Sequence, residues 1–200
     1  KVSITDQFLQ DLYEFLKPAV NVADVMFIPR TAYQLRYRIF NESDKNFLSF
    51  QKNEFGKNLG MKALAITDHG NLYGAIKFYR ACIDAGIKPI IGCEIYVSKR
   101  TRHDKEAGVD SDSNHLILLA KNEIGYKNLM RIISIANLEG YYYKPRSDME
   151  LLKQHHEGLI CLSACVNGYV SDPLLQNQNE TAEKRAIELS EIFGKDHIYL

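Results

Sequence analysis

Two hundred residues, 46% of them hydrophobic, are enough for one domain with a sizeable core, while 25 basic against 25 acidic residues leave no net charge, which excludes the global basic field of an autonomous nucleic-acid binder. No apolar stretch is long enough to span a bilayer, and Asp6, Asp11 and Glu14 stand where a secretion leader would carry positive charge, so the reading is a soluble, cytoplasmic protein with no membrane partner. Cys82, Cys93, Cys161 and Cys165 show no CxxC pairing and lie in apolar segments, the pattern of buried, reduced thiols rather than of disulfides or a zinc knuckle.

In chain order, Phe8, Leu9, Leu12, Phe15 and Leu16 follow helical spacing between a Thr5/Asp6 start signal and Pro18, and predict an opening amphipathic helix. Residues 22–28 are apolar enough for a strand, Pro29 interrupts, and residues 32–40 alternate as a further strand. Residues 62–67 form a short apolar run and residues 74–85 have helical spacing at Ile76, Tyr79 and Ile83. Gly86 supplies a helix stop before a second strand at 89–93. This is a βαβ unit with a parallel strand pair. Asp68 and His69 fall at the carboxyl end of its first strand, where α/β folds gather ligands, and Glu94 falls at the end of its second. Taken singly, Asp68 reads as a turn or helix-start residue, His69 as a hydrogen-bonded loop residue and Glu94 as a solvated side chain.

Residues 98–113 collect Lys99, Arg100, Arg102, Lys105, Glu106, Asp110 and Asp112 with almost nothing apolar, which predicts an exposed, mobile loop. A buried strand follows at 116–120, then a helix at 125–138 with Tyr126, Leu129, Ile133 and Ala136 on one face. His115 begins its strand whereas His69 follows one, an opposition that a boundary shift of about two to four residues would remove. Ser147 with Glu150 fits a capping box for a short helix through Leu151 and Leu152, at whose far end His155 and His156 favour the helix dipole. A strand at 159–163, a helix at 181–193 stopped by Gly194, and the start of a strand at 197–200 complete the chain.

The phrases LGMKALAITDHGNLYGAIKFYRACIDAGIKPIIGCEIYV, NHLILLAKNEIGYKNL, LEGYYYKPRSD and EGLICLSAC closely resemble the polymerase and histidinol phosphatase (PHP) domain of bacterial DNA polymerase III alpha subunits, from about Gly60 to Leu200. The resemblance implies an α/β fold: an incomplete, distorted PHP-type β/α barrel with about six of seven strands. It divides the chain into a divergent N-terminal helical segment at 1–58, which includes the strand at 32–40, and a partial PHP domain at 59–200. It places His69, Glu94 and His115 at metal-ligand positions, with Cys165 of the SAC motif as a further one, in a site that uses Zn or Mn for phosphoesterase chemistry in intact relatives.

Those relatives open with an HxH pair followed by an Asp, and no HxH occurs in this chain. With residues 33–40 aligned as that strand, Arg36 and Arg38 occupy the histidine positions and Asp44 approximates the acidic ligand; arginine stays protonated and cannot ligate a metal. The late DxH pair of the relatives is also absent before Leu200, so weak or absent metal binding by this chain is expected.

The parent implied by the resemblance is a DNA-directed DNA polymerase acting in DNA replication. Its Mg-dependent centre lies in other polymerase domains, and its partners are DNA, those domains and a proofreading exonuclease subunit. The alternatives are a noncatalytic interaction module and a free-standing metal-dependent phosphoesterase. Tyr141, Tyr142, Tyr143, Lys144 and Arg146 form an aromatic and basic run suited to nucleic-acid or partner contact, against a plainer reading as loop packing.

Overall fold

The structure is a computed structural model and describes residues 62–199 and the short strand Val25–Phe27. The helix expected at 8–16, the strand expected at 32–40 and Asp44 lie outside the described residues. The expected βαβ unit forms as read: β2 (Ala63–His69), α1 (Ala75–Ala85) and β3 (Lys88–Ser98), taking Val25–Phe27 as β1. Strands β2 and β3 are parallel, in register from Ala63 opposite Lys88 to His69 opposite Glu94. Helix α1 ends where Gly86 adopts φ 71°, a left-handed conformation that costs glycine little, and its N–H closes on the carbonyls of Cys82 and Ile83.

The buried face of α1 is Ala75, Phe78, Tyr79 and Cys82 rather than the Ile76, Tyr79 and Ile83 stripe; Ile83 is 42% exposed. Both sets satisfy helical spacing, and the stripe holding two aromatic rings wins because it removes more apolar area from water. On the far side of β2, β1 pairs in parallel, Val25 opposite Ala63 through Phe27 opposite Ala65. Val25–Phe27, within the apolar run expected as a strand, therefore joins the same sheet as the residues from Ala63 on.

Strand β4 (Ser113–Ala120) returns antiparallel to β3. Helix α2 (Glu123–Leu138) then begins at Asn122, whose side chain accepts the Gly125 N–H at 2.9 Å. Its expected face is buried in full, with Ile132 added. A small hairpin of β5 (Tyr141–Tyr142) and β6 (Lys144–Ser147) lays β6 parallel to the end of β3, Arg146 opposite Tyr96.

Helix α3 (Met149–His155) is capped by Asp148 and not by Ser147, because the Ser147 hydroxyl is already donated to the Tyr96 carbonyl at 3.0 Å while Asp148 Oδ1 accepts the Leu151 N–H at 2.9 Å. Strand β7 (Leu159–Leu162) pairs antiparallel with β4, helices α4 (Ser171–Leu175) and α5 (Asn179–Phe193) follow, and β8 (Ile198–Tyr199) lies parallel to β7.

The sheet order is β1-β2-β3-β4-β7-β8, and among the described residues nothing joins β8 back to β1, so the α/β sheet is an open, incomplete PHP-type barrel. One apolar cluster, with Val97, Leu116, Leu118, Leu129, Ile132, Leu151, Leu152, Leu159 and Leu189 fully buried, ties the sheet to α2, α3 and α5; a second, with Ile66, Phe78, Tyr79 and Ile91, seats α1. At ~1.5–3 kcal/mol for each large aliphatic side chain taken from water, these clusters set the strand positions on which the site depends. Among the described residues no helix is long and apolar enough to cross a membrane.

Candidate metal and phosphate site

Three strands deliver three side chains to one end of the sheet. The parallel register sets His69, the last residue of β2, beside Glu94 on β3. Because β4 runs antiparallel, its beginning meets the ends of β2 and β3, and His115 sits opposite Tyr96, two residues beyond Glu94. The opposed positions of His69 and His115 along their strands thus follow from strand direction, and no boundary shift is needed.

The Nδ1 atoms of His69 and His115 both face the same Glu94 oxygen, at 3.1 and 2.9 Å. Burial pushes the Glu94 carboxyl up, but hydrogen bonds from His115 and His69, with their charge, outweigh it and hold the group at about 2. Glu94 is therefore a carboxylate at neutral pH. It is not the solvated side chain of the single-residue reading, since only 15% of its side chain is exposed.

Cys165 Sγ lies 3.5 Å from His115 Nδ1. It reaches that position on the turn after β7, where Ala164 takes φ 66° and the Gly168 N–H returns to the Cys165 carbonyl at 2.7 Å. The turn is zipped to β4: the His115 N–H donates to Asn167 O at 3.0 Å and the Tyr169 N–H to His115 O at 3.1 Å. Cys82, Cys93 and Cys161 are buried thiols as expected, pushed up to about 12 by desolvation. Cys165 corrects that expectation, since its turn carries it to the exposed rim.

Asp68 keeps its plainer role: it is buried, and its Oδ2 accepts the Gly74 N–H at 3.1 Å at the entrance to α1. Tyr96 was not among the residues singled out by the sequence. Its ring meets His115 edge-on at 5.3 Å between centroids and lies under the Lys144 ammonium at 4.7 Å. Only the β3–β4 register could reveal it, because Tyr96 carries no motif of its own.

The donor set of two imidazoles, a carboxylate and a thiol suits Zn or Mn. The His–Glu separations of 2.9 and 3.1 Å are of the size found between neighbouring ligands around an ion bonded at about 2.0–2.2 Å. Among the described residues, however, no three His, Cys, Asp or Glu side chains surround a common point as a finished metal cage. The residues fit one wall of such a site.

The segment expected to be a mobile loop is pinned on both sides. Asp110 is buried and paired with Arg100 through Nε at 2.9 Å and through Nη2. Arg102 donates to Asp148 at 3.1 Å and to Glu139 at 2.8 Å. The Arg100 hydrogen bond, working against desolvation, holds the Asp110 carboxyl at about 2.

Arg146 closes the structure from the inside. It is 1% exposed, which corrects its expected place in an exposed contact surface. Its guanidinium donates to the carbonyls of Gly140 (3.1 Å), Asp110 (2.9 Å), Arg102 (3.3 Å) and Asp104 (2.7 Å) and lies 5.2 Å from the centre of the Tyr142 ring. A planar fork with five N–H groups can satisfy four carbonyls from two segments at once, and no shorter cation can. Of the expected contact run, Tyr141 and Tyr143 are 56% and 71% exposed, Lys144 is exposed, and Tyr142 is half-buried.

Comparison with known proteins bears on the family of the chain. The family profile described as the PHP domain matches residues 54–200. Over 145 residues, 72% of the chain, it is 51% identical to the DNA polymerase III subunit alpha of Treponema pallidum (strain Nichols), covering 12% of that protein. It is 49% identical over 141 residues to the protein of the same name from Borreliella burgdorferi, covering 70% of the chain and 12% of that protein. For the Thermus aquaticus protein of that name the identity is 48% over 134 residues, 66% of the chain and 11% of that protein. The chain thus spans about an eighth of the length of the curated relatives it matches.

Proposed function

The chain belongs to the PHP domain family, and on that premise we propose that it is the PHP module of a replicative DNA polymerase III alpha subunit, working in the cytoplasm in DNA replication. The relatives' names support the replication setting, and the observation that carries the site is the convergence of His69, Glu94 and His115 from three strands on one carboxylate oxygen. The module's main role is to support the remaining polymerase domains and to contact a proofreading exonuclease subunit, with residual metal-dependent phosphoesterase capacity at the strand ends.

In that site His69, Glu94, His115 and Cys165 would hold a divalent Zn or Mn ion, which supplies charge for polarising a phosphate and activating water. Glu94 contributes a carboxylate that stays ionised through the neutral range. Before an ion is bound it orients both imidazoles through their Nδ1 atoms, and the Cys165 turn fixes the His115 backbone from the opposite side. Primer extension belongs to Mg-binding carboxylates elsewhere in the parent, so this chain alone does not extend a primer.

The test uses the full-length subunit, stripped with EDTA, reloaded with Zn²⁺ or Mn²⁺ and compared with its E94Q variant. Under the supporting role, E94Q lowers thermal stability and primer extension together. Any phosphodiester hydrolysis by the wild type is chelator-sensitive and lost in E94Q. Primer extension and stability both unmoved by E94Q would refute the supporting role. Near-stoichiometric metal on the isolated chain, lost in H69A, would show a complete site where we expect only one wall.

A further inference from the structure

We propose that the β5–β6 hairpin is a single-stranded nucleic-acid wall beside the His69–Glu94–His115 site, with Lys144 taking a backbone phosphate and Tyr141 and Tyr143 offering ring faces to bases. This rests on the reading of the chain as a replication module and names a binding surface and ligand class for it.

The hairpin lies against the site. Its Pro145 packs on Gly70, the residue after His69, so closely that a Cβ added at Gly70 would come within 2.6 Å of Pro145 Cγ. Lys144 projects over Tyr96, and Tyr96 touches the His115 ring. A phosphate held by Lys144 would thus stand two side chains away from the histidine. The adjoining β2–α1 turn carries a further aromatic, Tyr73, 90% exposed.

Two observations separate this hairpin from ordinary surface. Tyr143 has φ 57°, a left-handed backbone that glycine or asparagine adopts at less cost, so the turn carries a strained aromatic residue that is 71% exposed and whose ring meets only the half-buried Tyr142 ring, edge-on at 4.7 Å between centroids, among the ring contacts of the described residues. Strain of this kind gathers at ligand contacts. Lys144 is the uncompensated charge of the rim: among the described residues it has no carboxylate partner, while Glu94, Asp110 and Glu139 on the neighbouring segments are each taken by histidines or arginines. A cation with no carboxylate partner among the described residues, resting on the Tyr96 ring and flanked by exposed rings, matches a phosphate flanked by bases, and the strand-tolerant affinity of such sites comes from stacking on any base. The buried Arg146 makes the wall rigid, because three of its carbonyl contacts hold the hairpin to the β3–β4 segment and the fourth, to Gly140, holds the end of α2.

The experiment measures fluorescence anisotropy of a labelled oligodeoxythymidylate with the full chain in EDTA, so that metal-dependent chemistry plays no part. The proposal expects Y143G to weaken binding roughly 5- to 100-fold without lowering the melting temperature, since glycine relieves the φ > 0 strain. It expects K144A to flatten the slope of log affinity against log salt by about 0.7, the share of one single-strand phosphate.

Equal affinity for an abasic oligonucleotide, or no loss in Y143G, would overturn the proposal. So would capture of an exonuclease subunit by the wild type and not by Y143G with oligonucleotide binding unmoved. Failure here leaves the E94Q test of the proposed function untouched, because neither variant alters a group at the metal wall.

Discussion

Replacing Arg146 with methionine removes the guanidinium while keeping most of the stem volume, and the structure sets the size of the effect. Two of the four hydrogen bonds are short, to Asp104 O at 2.7 Å and Asp110 O at 2.9 Å, and two are longer, to Gly140 O at 3.1 Å and Arg102 O at 3.3 Å. At ~1.5 kcal/mol for each short charge-assisted bond and ~0.5–1 for each longer one, the direct loss is about 4–5 kcal/mol. Part of that is offset because a buried guanidinium is itself costly, as the downward push of burial on its pKa shows. A net destabilisation of about 3 kcal/mol follows, or a fall in melting temperature of roughly 6–12 °C for a chain of this size.

Three of the four carbonyls belong to the β3–β4 segment, so the loss should open that segment first. Urea unfolding gives the global figure, and amide hydrogen exchange over residues 101–110 gives the local one. An unfolding free energy within about 1 kcal/mol of wild type, with protection of those amides unchanged, would refute the assignment of Arg146 as the clasp. R146K keeps the charge without the fork and should recover less than half of the loss.

Asp110 predicts a pH dependence. Its carboxyl is held at about 2, below the ordinary 3.8, so its contribution is fully present above that ordinary value and is lost as pH falls through about 2. In an acid titration of stability, D110N should flatten the limb between those values and leave Arg100 and Arg146 less well matched at neutral pH. An acid limb of unchanged steepness would contradict the pairing. Glycine substitutions should separate crowding from strain. A Cβ at Gly125 would lie 1.8 Å from the Gly158 carbonyl oxygen, which is backbone and cannot turn aside, whereas one at Gly86 meets nothing within 4 Å and faces only φ +71°. G125A is expected to cost about 3 kcal/mol or more and G86A about 1–2 in denaturant unfolding; the reverse order would overturn the packing of α2 on the β7 approach.

The side-chain cluster was legible in the sequence to the extent that its members sit in long ordered phrases. His69 and His115 meet at one Glu94 oxygen and Cys165 stands beside His115, on an exposed turn rather than in the core. Asp44 and the strand at 32–40 lie outside the described residues. The neighbours of the wall were not legible. Tyr96 acquires its place only from lying opposite His115, and Arg146 looks in sequence like one more surface cation after three tyrosines. The segment between Ser98 and Ser113 is the exposed loop its charges imply, but its pairing was not legible: Arg100 is matched to Asp110, and Arg102 to Asp148 and Glu139.

The sequence by itself determined the local pieces: the β2–α1–β3 unit, the buried face of helix α2, the glycine stops at Gly86 and Gly194, and the buried strand centres. Each of these depends on hydrophobic period or on a backbone conformation that one residue type favours within a few positions. Tertiary structure alone decided strand direction and partner choice. The antiparallel return of β4 brought His115 to Glu94, occupation of the Ser147 hydroxyl by Tyr96 O moved the cap to Asp148, and three carbonyls of the distant β3–β4 segment drew Arg146 inside. Those outcomes come from competition among groups far apart in the chain for the same hydrogen bonds and the same buried volume, and no local spacing records which of them wins.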